Sequence, residues 1–488
     1  MFSTMRSLVA NLVRILFDSR NWLVPINTRL HNHFDVNHQD VIPFSVFHNK
    51  IEHKKSHLQN NYFILNDYYK IGRSFYDEKK LQELEIKYSI PSLWKIVNQD
   101  RFLRYCSKEK VVNYLSYYFY AYEIVVSNSQ VNYVVSETVT GAWNSILFFI
   151  AKYHGAEYLG YLSTRTTNKL YFNHTINDRF SEFQHSYHEI ATTEPSSDDL
   201  LIIGDFLESK KNSLKPEYVK KTEKLPHIID VFFSSKYIKE YLKKMYFSQE
   251  YQGDITIIER KNPFVADFLR AVRVKFMHFS GLFDKIQEGE KYILFPLHYQ
   301  PEATTDVWAD VYRDQVETIN MLSHSIPFGY TLYVKEHSSF IGSRSIDFYR
   351  KLKQLPNVKL ISWESNSTNL LQKSCLLATL SGTMGLEAIF YSIPVVVFGN
   401  VFYDFYEFAY KVTDPYELPG LIKKALSSNI DQRLRKNFIL SYLKSGYDIS
   451  LFGTMQSESS IANLTSYIIQ EINKLNHFKA NDVFFANT

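Results

Sequence analysis

The chain has 488 residues, 55 Lys+Arg against 51 Asp+Glu, a formal net charge of +4 and a 45% apolar share. This is the composition of a globular protein of two or three domains, and it excludes a disordered chain and a dedicated nucleic-acid binder. Two cysteines cannot build a disulfide framework or a structural zinc site, and the 16% aromatic share fits a large core as readily as sugar stacking.

At the N-terminus, the mostly apolar stretch from Leu8 to Phe17 is interrupted by Asn11 and Arg14. A membrane-spanning helix needs ~20 apolar residues, and no small-residue cleavage site follows, so neither a span nor a secretory signal is expected. The segment reads as a first helix packed on its domain. The alternative is an interfacial amphipathic helix bearing Arg6, Arg14 and Arg20, which would lie on the inner membrane. A cytoplasmic protein is expected, peripheral on that membrane if the alternative holds. His31 and His33 read as surface histidines without companion carboxylates.

Residues 1 to about 125 read as mixed and mostly helical. A strand then appears at Val131–Val135, a turn at Ser136–Gly141, a helix from Ala142 to Tyr153 and a strand at Glu157–Leu162. Thr192–Asp199 reads as a polar loop and Ser209–Lys224 as an exposed, lysine-rich segment. From Lys291 the alternation is regular. Strands are expected at 292–297, 331–335, 358–361, 375–380 and 394–398, with helices at 304–324, 345–355, 368–373 (capped by Ser365) and 383–391. Further helices are expected at 419–427 and 459–475. Five strands alternating with helices imply an α/β fold with a doubly wound parallel sheet. Two α/β halves with a helical tail resemble the two-Rossmann, GT-B architecture with a facing cleft. The expected domains are 1–285 (acceptor side), 286–458 (nucleotide-sugar side) and a C-terminal helix and tail at 459–488.

In an open parallel sheet, ligands bind beyond the carboxyl ends of the strands, so those loops carry the chemistry. After the first C-terminal strand come His298, Tyr299, Gln300, Pro301 and Glu302, a cluster of hydrogen-bonding groups whose alternative reading is a capped turn. Next come Lys335, Glu336 and His337, where Lys gives a point charge and His a directed N–H for a phosphate; Arg344 could reach the same anion. After the fourth strand, Ser381, Gly382 and Thr383 open a helix whose free N–H groups and dipole favour an anion, and Glu387, one turn on, could accept ribose hydroxyls. Each signal is modest, but all three lie at one edge of one sheet. Asp306 and Asp310, four apart, read as one solvated helix face. The chain has no G-x-G-x-x-G, no P-loop, no H-E-x-x-H and no D-x-D, which disfavours NAD, ATP and metal-dependent sugar transfer. No metal and no cofactor are expected.

The segments PLHYQPEATT (Pro296 to Thr305), LYVKEH (Leu332 to His337), GSRS with FY (Gly342 to Tyr349) and SGTMGLEA (Ser381 to Ala388), followed by PVVVFG, resemble the bacterial capsule polysaccharide biosynthesis family, which includes Kdo transferases. The resemblance covers residues 286–410 well and the first half only through SETVTGAW (Ser136 to Trp143). It implies a GT-B glycosyltransferase of capsule or lipopolysaccharide assembly with a nucleotide-sugar as co-substrate, CMP-Kdo being the best-known donor, and a glycan or lipid-linked glycan acceptor. It aligns Gln300-Pro301 with the family's "QP" motif and Lys335 to His337 with its "HP" motif, except that Ser338 stands where Pro is expected. A carboxylate of the first half should serve as base or nucleophile: Glu137 first, Asp205 second, with His337 stabilising the leaving phosphate. The alternatives are a UDP-sugar transferase or epimerase, a polyol-phosphate transferase, and a non-catalytic glycan-binding subunit.

Overall fold

The structure, a computed structural model, describes residues 12–212, 231, 234–239, 242, 253, 263–450 and 457–480. Its described residues divide into two compact units. The first holds 12–176, 253, 446–450 and 457–480; the second holds the rest.

The first unit is built on a six-stranded sheet in the order β3-β2-β1-β4-β5-β6. Its strands are β1 (Val13–Ser19), β2 (Val41–Phe47), β3 (Tyr62–Ile64), β4 (Tyr133–Glu137), β5 (Glu157–Ser163) and β6 (Leu170–Asn173). All pair in parallel except β6, which runs antiparallel to β5. The segment expected as a first helix is therefore the central strand from Val13 onward. Ile15, Leu16 and Phe17 are fully buried, and β1 pairs with β2 on one side and β4 on the other. A short apolar run does not by itself separate strand from helix, and flanking strands decided this one. Residues 1–11, including Arg6, lie outside the described residues. Arg14 bonds Gln130, and Arg20 is buried. His31 is likewise buried rather than superficial: its Nδ1 lies 2.9 Å from Ser45 Oγ, and burial pushes its pKa down to about 4.

The second unit repeats the plan, with the order β12-β11-β10-β7-β8-β9 and every pair parallel. Its strands are β7 (Tyr292–Pro296), β8 (Thr331–Lys335), β9 (Val358–Ile361), β10 (Leu376–Thr379), β11 (Val395–Val397) and β12 (Ala409–Lys411). The interiors of β7, β10 and β11 are continuous apolar runs, because a parallel sheet is covered on both faces. Five of the unit's strands lie where the sequence placed them; β12 and the helix Gln432–Lys444 did not stand out. The expected helix 304–324 is broken into Ala303–Asp306, a 3₁₀ turn at Asp310–Tyr312 and Gln315–Ser325. Asp306, which is buried, and Asp310 thus share no continuous helix. The cap of the helix Ser367–Lys373 is Asn366, whose side chain accepts from Asn369 N–H, rather than Ser365.

Both units show the doubly wound order 3-2-1-4-5-6, reversing direction between β1 and β4 and again between β7 and β10. The domain boundaries differ from those expected. Described residues 177–212 and 263–285 belong to the second unit, and the C-terminal helix Glu458–Ala480 belongs to the first. The physical reason is non-local burial: Ile461, Leu464, Ile468 and Ile472, on one face of that helix, share a core with Phe17, Leu30 and Leu159. Much of the aromatic surplus is core, with Tyr117, Tyr118 and Tyr122 fully buried on the helix Lys108–Ser129. Among the described residues no helix is long and apolar enough to cross a membrane.

Candidate active site

At the reversal point of the second sheet, the loop after β7 meets the loop after β10. His298 is buried, its N–H donates to Gln315 Oε1 (2.8 Å) and its Nε2 lies 2.9 Å from Thr379 Oγ1, so the imidazole bridges the two strand ends. Gly382 caps the helix Thr383–Phe390, and a Cβ there would stand 3.0 Å from His298 Nε2. Only a bare Cα lets the helix start come this close to the imidazole. Tyr403 donates to Gly382 O (2.5 Å), fixing the turn from the other side.

Several candidates at this edge work inside the fold. Gln300, whose bond to Pro301 is cis, accepts from Gln315 Nε2 and donates to Arg313 O (both 3.2 Å). Ser381 is buried and its Oγ donates to Thr304 O (2.7 Å), whereas Glu302 is exposed and accepts from Thr304. Lys335 is buried and donates to the carbonyls of Glu336 and Trp363. Arg344, expected to reach an anion, is also buried. Its Nε donates to Glu336 Oε2 (3.2 Å), its Nη2 donates to His298 O (2.6 Å), and its guanidinium lies 4.6 and 5.0 Å from the Phe340 and Phe348 ring centres. The sequence could not show this, because the acid that turns Arg344 inward is eight residues away across a loop.

The residue behind this arrangement is Glu336, which sequence reasoning passed over. Its buried carboxylate accepts from Arg344, from Tyr349 OH and from His337 N–H (2.6 Å), tying the loop after β8 into one unit. His337 is left at the rim. Its Nδ1 accepts from Ser339 N–H (3.2 Å), so in the neutral ring the proton sits on Nε2, as a directed donor needs. Tyr299, the partly exposed ring of the preceding loop, stands edge-on to His337 at 6.1 Å and to Phe340 at 4.8 Å.

One turn into the helix, Glu387 borders a cavity of about 380 Å³ lined also by Lys210, Asn366, Asn369, Gln372 and Tyr391. Burial raises the Glu387 carboxyl to about 6 against the opposing charge of Lys210. Burial lowers Lys210 from its ordinary value.

In the first unit, Glu137 ends β4, with Oε1 accepting from Thr140 Oγ1 (3.0 Å) and Oε2 from Trp22 Nε1 (3.3 Å). Burial raises its pKa above the ordinary carboxylate range. Beside it lies a constellation the sequence did not reveal. Asp18, at the end of β1, holds His48 Nε2 (3.0 Å) after β2 and Ser136 Oγ (2.8 Å) in β4, all of them buried. Trp143 is buried, edge-on to His48 at 4.9 Å and under Arg20 at 4.8 Å. Asp205 belongs to the second unit, not the first, and lies on the exposed face of the helix Ser197–Asn212. Among the described residues no three His, Cys, Asp or Glu side chains gather to hold a metal.

The family match bears mainly on the second unit. Residues 222–413 match the family model described as capsule polysaccharide biosynthesis protein. No curated protein sequence matches the chain. Among solved structures, the chain is similar to S. aureus MnaA in its UDP co-structure (10% identity, 95% of this chain and 97% of that one, TM-score 0.25). It is similar to the Methanocaldococcus jannaschii UDP-GlcNAc 2-epimerase in complex with UDP-GlcNAc and UDP (10%, 94% and 100%, TM-score 0.28). It is also similar to the β-Kdo 2,4-transferase of Thermosulfurimonas dismutans KpsC (12%, 64% and 79%, TM-score 0.30). Likenesses this loose fix no substrate. The stretch that matches the family model carries His298, Lys335 to His337, Ser381 to Thr383 and Glu387.

Proposed function

We propose that the chain is a nucleotide-sugar-dependent glycosyltransferase of surface-polysaccharide assembly, working without a metal or other cofactor. The observation that carries this reading is the meeting of His298 and the Gly382 helix start at one strand edge, inside the stretch that matches the family. The second unit holds the donor. His337 Nε2–H and the N–H groups at the start of the helix Thr383–Phe390 face the leaving phosphate and stabilise the negative charge that grows on it as the glycosidic bond breaks. Glu387 accepts from the ribose hydroxyls, and Glu137 of the first unit is the base or nucleophile. CMP-Kdo or a related CMP-ulosonate is the donor class the family resemblance supports, and the acceptor is a glycan or lipid-linked glycan.

A thermal-shift panel of CMP, CDP, UDP and GDP tests the donor. CMP alone should stabilise the protein, whereas stabilisation by UDP alone would move the assignment to a UDP-sugar transferase or epimerase. His337→Ala should weaken nucleotide binding about tenfold, the loss of one charge-assisted contact. Unchanged affinity would remove His337 from the phosphate site.

The Glu387 carboxyl gives this site a pH signature. A ribose hydroxyl donates best to the ionised carboxylate, so nucleotide affinity should fall as pH drops through about 6, and Glu387→Gln should flatten the profile. Without nucleotide the sign reverses. A carboxyl raised from 4.5 to about 6 in the folded state favours folding below 4.5, and that contribution is lost as pH rises through 6. Isothermal titration and thermal melts across this range check both signs.

A further inference from the structure

The first sheet reverses its strand order between β1 and β4, so its ligand crevice is expected where the loops after these two strands part. The side chains that meet there are Trp22 and Glu137, 115 residues apart in sequence and joined by the 3.3 Å indole N–H to carboxylate bond. Trp22 is 38% exposed, while Trp143 close by is buried under Arg20. The loop that presents Trp22 is preset. Asn21 sits at φ 49°, a left-handed conformation Asn tolerates better than most residues, and its N–H donates to Glu52 Oε1 (2.8 Å). The other Glu52 oxygen accepts from His48 N–H (3.1 Å), and Asn27 Nδ2 ties the following helix back to Asp18 O (2.8 Å). The indole is therefore held half in water in one orientation, against a carboxylate that is itself fixed by Thr140.

We propose that Trp22 and Glu137 form a sugar-ring subsite, the indole taking the apolar face of a pyranose and the Glu137 carboxylate accepting from its hydroxyls. An aromatic face beside a hydrogen-bonding carboxylate matches a ring with one C–H face and an equatorial fringe of hydroxyls. A carboxylated sugar would meet like charge at Glu137, so the ligand is a neutral hexose or N-acetylhexosamine. Resting on the glycosyltransferase reading, this makes the residue at the end of the acceptor glycan a neutral sugar, even where the donor is an ulosonic acid.

Saturation-transfer NMR on the full chain with methyl β-glucoside, methyl β-galactoside, methyl N-acetyl-β-glucosaminide and the methyl glycoside of Kdo tests the subsite. At least one neutral glycoside should bind, with transfer strongest at its ring C–H protons, and the Kdo glycoside should bind at least tenfold more weakly. Trp22→Ala should lose neutral-sugar binding at least tenfold and Trp22→Phe about threefold, both keeping the nucleotide thermal shift of the wild type. Should Trp22→Ala fail to fold, the Trp22→Phe and Glu137→Gln proteins carry the comparison. Equal sugar binding in the substituted proteins, no transfer to any neutral glycoside, or preference for the Kdo glycoside would overturn the subsite. Sugar binding without any nucleotide shift in the wild type would instead overturn the glycosyltransferase reading and leave the subsite standing.

Discussion

Glu336→Ala is expected to lower the unfolding midpoint of the second unit by on the order of 10 °C. Removing one partner of a buried ion pair strands the other charge, a loss of about 3–5 kcal/mol, and each kcal/mol moves a domain of this size by about 2–4 °C. Arg344, Tyr349 OH and His337 N–H would all lose their acceptor together. The double replacement Glu336→Leu with Arg344→Met leaves no stranded charge and should cost less than the single change. Differential scanning calorimetry reads both. A single-variant shift below about 2 °C would mean that water replaces the carboxylate and the pair is worth no more than a surface one. Because Glu336 fixes the backbone at His337, the variant should also weaken nucleotide binding, although its side chain is buried.

Glu137→Gln should reduce sugar transfer by about 10²–10⁴, the range for losing a positioned general base, while leaving the fold and nucleotide binding intact. The amide keeps an oxygen for Thr140 or Trp22, so the loop survives, but it cannot take up a proton. The Glu137 carboxyl is raised by burial, first of all, so the ionised form that acts as base accumulates only above the ordinary carboxylate range. The transfer rate of the wild type should accordingly rise with pH and then level off, and the residual rate of Glu137→Gln should not follow that limb. Release of free nucleotide with and without a glycan acceptor, measured across pH, checks both. Transfer at the normal rate in a folded Glu137→Gln protein would exclude it as base and as nucleophile.

Part of the candidate site was legible because a polar residue at a strand end is marked by local pattern. His298, His337, Gly382 and Glu387 each follow or lie close to the end of an apolar run that can only be a buried strand, and Glu137 follows another. What the sequence could not separate was outward from inward polar groups. Lys335 and His337 are two residues apart, yet one is buried against carbonyls and the other stands at the rim. Arg344 reads as an anion ligand until Glu336 and the carbonyl of His298 claim both ends of its guanidinium. Asp18, His48 and Ser136 are ordinary residues in sequence, because their only relation is that three parallel strands end side by side.

By itself, then, the sequence determined the alternation of strand and helix from Tyr292 to Val397 and placed His298, His337 and Gly382 at its strand ends. It could do so because strands buried on both faces must be continuously apolar and helix starts must be capped, and both are short-range demands. Tertiary structure alone decided that Val13–Ser19 is a central strand, that the last helix returns to the first unit, and that Trp22 meets Glu137. Those outcomes depend on which surfaces bury one another across a hundred or more residues, and no window of local pattern contains that information.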